Sequence, residues 1–278
     1  MAFVRRIKNT LRRYGAHIAG NVTGRQYFDG QVRIYPTLRC NLRCPYCVNQ
    51  YVDNGAHIGD YAECPAEEWG RIIRHLGRDV VITGGEPFLY RELEALIAEI
   101  PAALQVTLYT NLMVPLDSSR ALLERKNLSF FISYHPACSD DALFAENYAL
   151  LSAEKAPLTV HSITLAGEQE REAMISAMEK KTGTRIIRDA DQRLHVRCAD
   201  VQKKPAGETV QCRRRIILVA PDGTRYQCVS HMMRRVFPKE NLCREPFSGE
   251  WSTCVCPDYD VCAPCDTLGE MTQCTKKI

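Results

Sequence analysis

The chain has 278 residues, 45% hydrophobic and 25% charged, with a formal net charge of +3, as expected for a soluble globular protein with one barrel-sized domain, alone or with a small appendage. That charge is too small to imply a nucleic-acid partner by itself, no apolar run approaches the ~18 residues of a membrane span, and charges from Arg5 onward interrupt any secretory signal core. The anomaly is the count of fourteen cysteines; without an export signal, their short spacings suit metal ligation in a reducing cytoplasm better than disulfide bridging.

Residues 1–31 read as a basic amphipathic segment. The first 28 residues contain no acid and carry Arg5, Arg6, Lys8, Arg12, Arg13 and Arg25, while Phe3, Ile7, Leu11, Tyr14 and Ile18 recur at helical spacing. The plain expectation is a helix packed on the rest of the fold. The alternatives are weak contact with an anionic membrane surface or substrate, or an organelle transit peptide. From residue 32 to about 188 the pattern alternates. Strand-like runs fall at Val32–Pro36, Asp79–Thr83, Gln105–Tyr109, Ser129–Tyr134, Leu158–Leu165 and Thr184–Arg188. Helical stretches lie between them: Pro65 with Glu67 and Glu68 opens one, Asp117 and Ser139 are candidate N-caps of two others, and Gly183 stops another. This alternation argues an α/β fold with a parallel sheet and crossover helices, either a barrel or a doubly wound sheet. In both, ligands bind at the C-terminal ends of the strands.

After residue 190 the alternation stops. Arg213–Ala220, a turn at Pro221-Asp222-Gly223 and Thr224–Val229 predict a β-hairpin. The remainder is rich in cysteine and proline and cannot build a large apolar core, so metals are expected to hold it together.

The first strand runs into Cys40-Asn-Leu-Arg-Cys44-Pro-Tyr46-Cys47. Three thiolates this close can bind three corners of a cubane iron–sulfur cluster and leave the fourth iron open, whereas a structural zinc site wants four ligands. This loop resembles the signature of the radical S-adenosylmethionine (SAM) superfamily, C-x-x-x-C-x-x-C with an aromatic residue before the last cysteine. The second strand ends in Thr83-Gly84-Gly85-Glu86-Pro87, which resembles the stretch that binds the amino group of SAM in that family; the glycines are expected to let the backbone approach a ligand. Thr110-Asn111 after the third strand resembles the family's T-N pair. Ser133 and His135, closing the fourth, fall where relatives contact the ribose or carboxylate of SAM. His161 to Gly167 has a fainter likeness to the adenine-binding stretch. The resemblance covers about residues 32–188 and implies a partial (β/α)6 TIM-type barrel over residues 32–190. It also implies a [4Fe–4S] cluster on Cys40, Cys44 and Cys47, with SAM held by Tyr46, Gly84, Gly85, Glu86, Thr110, Asn111, Ser133 and His135. Reductive cleavage of SAM to a 5′-deoxyadenosyl radical, driven by a one-electron reductant such as flavodoxin or ferredoxin, is the implied activity.

Residues 191–278 resemble the SPASM/twitch extension of such enzymes, a small cysteine-rich domain with a β-hairpin that binds one or two auxiliary [4Fe–4S] clusters. The resemblance rests on Cys212, Gly223 and Cys228, then Cys254, Cys256, Cys262, Cys265 and Cys274. Two spacings are one residue short of the pattern. The resemblance implies Cys212, Cys228 and Cys265 on a first auxiliary cluster, with Cys198 or Cys243 as its fourth ligand or with an open site. It places Cys254, Cys256, Cys262 and Cys274 on a second. A zinc ribbon of Cys254, Cys256, Cys262 and Cys265 is the alternative. Cys64 and Cys138 lack sequence neighbours and read as buried free thiols.

An auxiliary cluster favours net two-electron oxidation, so the leading expectation is oxidation of a small polar or carbohydrate-like substrate; the alternative is a peptide-modifying maturase. Tyr109, His135 and His161 are candidates for proton transfer by position alone, and no catalytic acid or base is singled out. A reading from another class, a non-catalytic metal ribbon that binds nucleic acid through Arg12–Arg13 and Arg213–Arg215, gives the three-cysteine loop and the Gly-Gly-Glu turn no role.

Overall fold

The computed structural model describes residues 31–47, 49, 58–116, 120–164, 168–190, 210–214, 216–248, 252–256 and 271–277. The N-terminal basic segment, Asp117, Cys198, Cys262 and Cys265 lie outside them. Six strands follow one another in chain order: β1 (Gln31–Thr37), β2 (Val80–Gly84), β3 (Val106–Thr110), β4 (Leu128–Ser133), β5 (Leu158–Thr164) and β6 (Ile186–Ala190). Each pairs in parallel with the next. A doubly wound sheet reverses its order at a switch point. This sheet does not, so of the two architectures left open by the sequence it takes the barrel type, and β6 at its edge makes the barrel partial.

The crossover helices are α1 (Ala66–Leu76), α2 (Leu93–Glu99), α3 (Arg120–Leu123), α4 (Asp141–Ala153) and α5 (Gln169–Thr182). Alternate strand residues Val32, Ile34, Val80, Ile82, Val106, Leu108, Phe130, Ile132, Val160 and Ile186 pack with Trp69, Ile72, Leu96, Phe144 and Ile175 of these helices in one buried core. The residues between them therefore face the other side of the sheet, the barrel interior. Pro65 precedes α1, with Glu67 and Glu68 in its first turn, and Gly183, at φ 68°, ends α5 in the left-handed conformation that glycine adopts without strain. Ser139 does not cap α4. Asp140 does, its carboxylate accepting from the N–H groups of Ala142 (2.8 Å) and Leu143 (3.1 Å), while the Ser139 hydroxyl accepts from His135 N–H (3.3 Å) in the preceding turn.

The expected strand Arg213–Ala220 is in fact two strands. β7 (Val210–Arg214) lies in a second sheet, while β8 (Ile216–Val219) extends the barrel sheet, parallel to β1 and antiparallel to the short β9 (Arg225–Tyr226). β8 is buried along its whole length, which its unbroken run Ile-Ile-Leu-Val signals, since a strand covered on both faces needs no alternation. Its far face joins Tyr35, Leu38, Tyr61, Tyr226, Met232 and Met233 in a second apolar cluster, the last two from α6 (Val229–Arg234). The second sheet is antiparallel, with β7 between β10 (Ser252–Cys256) and β11 (Met271–Lys277). Among the described residues no helix is long and apolar enough to cross a membrane.

Candidate active site

The C-terminal ends of β1 to β4 converge on one place, and hydrogen bonds explain how. The backbone leaving β1 is clamped on the turn after β2: Gly85 N–H donates to Thr37 O (3.1 Å) and Glu86 N–H to Arg39 O (2.8 Å). A Cβ on Gly84 would meet Thr37 O at 2.1 Å, and one on Gly85 would meet Arg39 O at 2.0 Å. The close approach these glycines permit is thus to the start of the three-cysteine loop.

Glu86 is the hub. Its carboxylate is 1% exposed and accepts from Phe88 N–H (3.1 Å), Thr110 Oγ1 (3.0 Å) and Asn111 N–H (2.7 Å). Burial outweighs these bonds and raises its pKa to about 7. Thr110 Oγ1 also accepts from Leu112 N–H (3.0 Å). Asn111 carries the link onward: its Nδ2 donates to Asn41 Oδ1 (2.9 Å) and lies 3.9 Å from Cys40 Sγ. Asn41 Nδ2 in turn donates to Met113 O (2.7 Å). The Gly-Gly-Glu turn, the Thr-Asn pair and the cysteine loop therefore form one bracket across β1, β2 and β3.

The three thiols share an electrostatic environment. Burial raises the pKa of Cys40, with negative charge on Glu86 and Cys47 adding to it. Cys44 is pushed up to about 12, by burial first, then by Cys138, Cys47 and Cys40. Cys138, read from sequence as isolated, lies within hydrogen-bond reach of Cys44; the turn after β4 brings it there, and no local pattern signals a contact between residues so distant in the chain.

That turn also supplies His135. Its Nδ1 meets Tyr46 Oη at 2.9 Å, and burial, then the neighbouring Arg171, lowers its pKa to about 4. A neutral imidazole wedged on Tyr46 is a poor proton carrier, which separates His135 from the other proton-transfer candidates. Arg171 of α5, absent from the sequence reading, donates from Nη1 to Tyr46 Oη (3.3 Å), places its guanidinium 4.9 Å from the ring centroid and pairs with Glu168 (2.9 Å). Burial raises the Tyr46 pKa.

Below this bracket the barrel interior is polar and aromatic. Tyr109, Phe131 and His161 stack in a row, with centroids 4.3 and 3.9 Å apart. His161 Nδ1 meets Asp189 Oδ2 at 2.8 Å, and its Nε2 meets Thr159 Oγ1 at 3.2 Å. Thr107 and Ser129 bond each other at 3.2 Å, and Ser133 sits opposite His161 in the register.

The C-terminal cysteines divide. Cys228 caps α6, its sulfur accepting from His231 N–H at 3.4 Å. In the second sheet Cys254 and Cys274 both pair with Cys212, so these three occupy one rung, while Cys256 sits opposite Val210. That rung joins members of both ligand sets expected from the resemblance. Cys243 does not stand alone: its sulfur is 2.8 Å from that of Cys64, so Cys64 is not isolated either. Among the described residues, no group of three or more His, Cys, Asp or Glu side chains closes on a single metal ion.

The C-terminal end of a parallel partial barrel thus carries a loop with three thiols, tied to a buried glutamate. Residues 34–135 match the model of the radical SAM superfamily. Over 106 residues the chain is 40% identical to a probable GTP 3′,8-cyclase of Methanopyrus kandleri, covering 35% of this chain and 33% of that protein. Over 98 residues it is 37% identical to the PqqA peptide cyclase of Rhodopseudomonas palustris, covering 34% and 23%. The chain thus spans a third or less of the length of these curated relatives. In fold it is similar to Streptococcus suis SuiB bound to the precursor peptide SuiA, with TM-score 0.60 and 15% identity over 86% of this chain and 68% of that one. It is also similar to anSMEcpe with bound AdoMet, with TM-score 0.54 and 13% identity over 79% of each chain. Over residues 34–135 the chain is thus similar to the radical SAM superfamily, a family that works with a [4Fe–4S] cluster and SAM.

Proposed function

We propose that Cys40, Cys44 and Cys47 hold the SAM-cleaving cluster and that Glu86, with Gly84, Gly85, Thr110 and Asn111, forms the seat of SAM, with Tyr46, Ser133 and His135 flanking it. The observation that carries this reading is the bracket that ties Glu86 through Thr110 and Asn111 to the Cys40 loop. The donor set fits the group. Three thiols whose negative forms oppose one another in a partly buried loop need a cationic core to ionise together, and a ferric–ferrous cluster supplies one. One-electron cleavage of SAM at such a site supplies a 5′-deoxyadenosyl radical, which removes a hydrogen atom from substrate. The chain's own part is to orient SAM through Glu86, to hold the loop shut with Tyr46, His135 and Arg171, and to present substrate to the site from the barrel interior.

The interior wall supports a small polar substrate. Thr107, Ser129, Tyr109, Thr159 and the His161–Asp189 pair offer hydroxyl, imidazole and carboxylate groups on one face, fitted to hydroxyls or amines of a sugar-like or nucleotide-like molecule. His161 paired with Asp189 is the candidate for moving a proton there. Similarity to the PqqA peptide cyclase favours a second reading, a peptide-modifying enzyme. The cysteine rung in the second sheet and Cys228 support an auxiliary cluster domain of SPASM/twitch type over residues 191–278. The decisive test is anaerobic turnover of reconstituted protein with dithionite and SAM, scoring 5′-deoxyadenosine. A stimulated yield with nucleotides or aminocyclitols supports the polar substrate, and a mass change on a precursor peptide supports the second reading. If no 5′-deoxyadenosine forms under any condition, the SAM-cleaving assignment fails.

A further inference from the structure

Cys64 and Cys243 are 179 positions apart and belong to different parts of the fold, yet their sulfurs lie 2.8 Å apart. Both are fixed from the backbone. Cys64, just before α1, donates its N–H to Pro221 O at 2.7 Å, and Tyr90 Oη donates to its carbonyl at 2.7 Å. On the other side, Leu242 N–H donates to Gly223 O at 2.9 Å, Cys243 N–H donates to Asn241 Oδ1 at 3.0 Å, and Arg71 Nη2 donates to Leu242 O at 2.7 Å. Gly223 is cut to fit this sulfur: with φ at 81°, a Cβ there would lie 2.3 Å from Cys243 Sγ. The thiols are therefore held together by packing on all sides, and a disulfide bond of about 2.05 Å needs a relative shift of less than about 1 Å.

We propose that Cys64 and Cys243 are a reversible oxidation site, closing to a disulfide that ties the 221–243 turn to the start of α1. The oxidant is a low-molecular-weight disulfide. The Cys243 thiolate attacks one of its sulfurs, forming a mixed disulfide and releasing one thiolate. Cys64 then loses its proton and attacks the Cys243 sulfur, releasing the second. Two protein thiols give up two protons and two electrons, and the small disulfide becomes two small thiols. The order of attack follows from the setting. Cys243 is partly exposed and so is the sulfur that a small disulfide reaches first. Cys64 is buried behind it and meets the Cys243 sulfur directly. A partly exposed thiol backed by a buried resolving thiol is the arrangement that redox-sensing pairs use.

The test uses anaerobically reconstituted full-length protein held at set ratios of oxidised to reduced glutathione. Free thiols are trapped with iodoacetamide and the protein is digested without reduction. The expected product is a Cys64–Cys243 linked peptide. Its yield should rise with the ratio of oxidised glutathione to the square of reduced glutathione, should not depend on protein concentration, and should vanish with dithiothreitol. In the Cys64→Ser variant Cys243 should stop at the mixed disulfide, and in Cys243→Ser the Cys64 thiol should remain free. The wild-type readout stands even where a variant fails to fold. Absence of the linked peptide at every ratio, or linkage of Cys243 to another cysteine, overturns the proposal. So does a Cys243 shielded from iodoacetamide by reconstitution, which would mark it as a cluster ligand.

Discussion

Replacing Glu86 with Gln tests the hub of the bracket, because the change keeps the shape and removes the charge. In the native site Oε1 accepts two hydrogen bonds and Oε2 one, from Asn111 N–H. A glutamine can satisfy the first pair through its carbonyl, but its NH2 group then faces the Asn111 N–H donor. Two effects follow, and they have opposite signs. The first concerns stability. The Glu86 pKa is raised from 4.5 to about 7 in the fold, so between these values the folded state binds more protons than the unfolded state. Stability contributed by the protonated form is full below about pH 4.5, falls as pH rises to about 7, and is flat above. A shift of this size corresponds to about 3 kcal/mol. The Gln variant carries no such dependence. Its stability relative to wild type should therefore improve by about 3 kcal/mol between pH 4.5 and pH 8, read from urea unfolding at the two pH values. Subtracting the two proteins also removes His135, whose lowered pKa costs both of them stability as pH falls from 6.5 through 4. The second effect concerns SAM. Losing one charge-assisted hydrogen bond should cost about 1.5–3 kcal/mol, a roughly ten- to hundredfold weaker dissociation constant by calorimetry. Parallel stability profiles would refute the buried-charge argument, and an unchanged SAM affinity would remove Glu86 from the binding site.

Further substitutions separate the remaining parts of the site. Changing Cys40, Cys44 and Cys47 together to Ala should abolish 5′-deoxyadenosine formation while leaving C-terminal iron bound; a wild-type rate from that variant contradicts the central assignment. Iron analysis of reconstituted protein should give about twelve irons for three cubanes, and about eight in the triple variant; a variant that retains only about four has one auxiliary cluster, and one with zinc in their place has a ribbon. Arg171→Met removes a cation stacked on Tyr46 and should cost about 1–2 kcal/mol of stability, while making the first cluster harder to reduce, since a nearby positive charge favours the extra electron. Arg171→Lys should restore part of the potential, and a potential unmoved in both variants would show that Arg171 only packs.

The parts of this site legible in the sequence are those with a local cause. Each of the six strands lies within two or three residues of its expected place because its apolar run is bounded by turn residues. Pro65 and Gly183 fix helix ends through backbone geometry that any context preserves. The cysteine loop and the Gly-Gly-Glu turn stand out as short motifs through their resemblance to a known family, and the structure brings the two segments together. What the glycines do was not legible, because the atoms they make room for, Thr37 O and Arg39 O, come from another strand. The same limit hides Cys138 beside Cys44, Arg171 over Tyr46, and the Cys64–Cys243 pair, each joined by packing across long stretches of chain. β8 marks the boundary between the two kinds of information. Its unbroken apolar run announces a strand buried on both faces, but only the assembled sheet shows that β1 is its partner.

That partnership bears on how the two halves of the chain communicate. β1 pairs with β2 on one side and β8 on the other, and it delivers the chain directly into Cys40. The turn after β8 carries Pro221 and Gly223, which pack on Cys64 and Cys243. The chain then forms β9, antiparallel to β8, and reaches Cys228 at the start of α6. A single strand order, β2-β1-β8-β9, therefore spaces the first cysteine loop from Cys228 by sheet hydrogen bonds rather than by a flexible linker. Cys228 and the Cys40 loop are thereby both positioned from one continuous sheet.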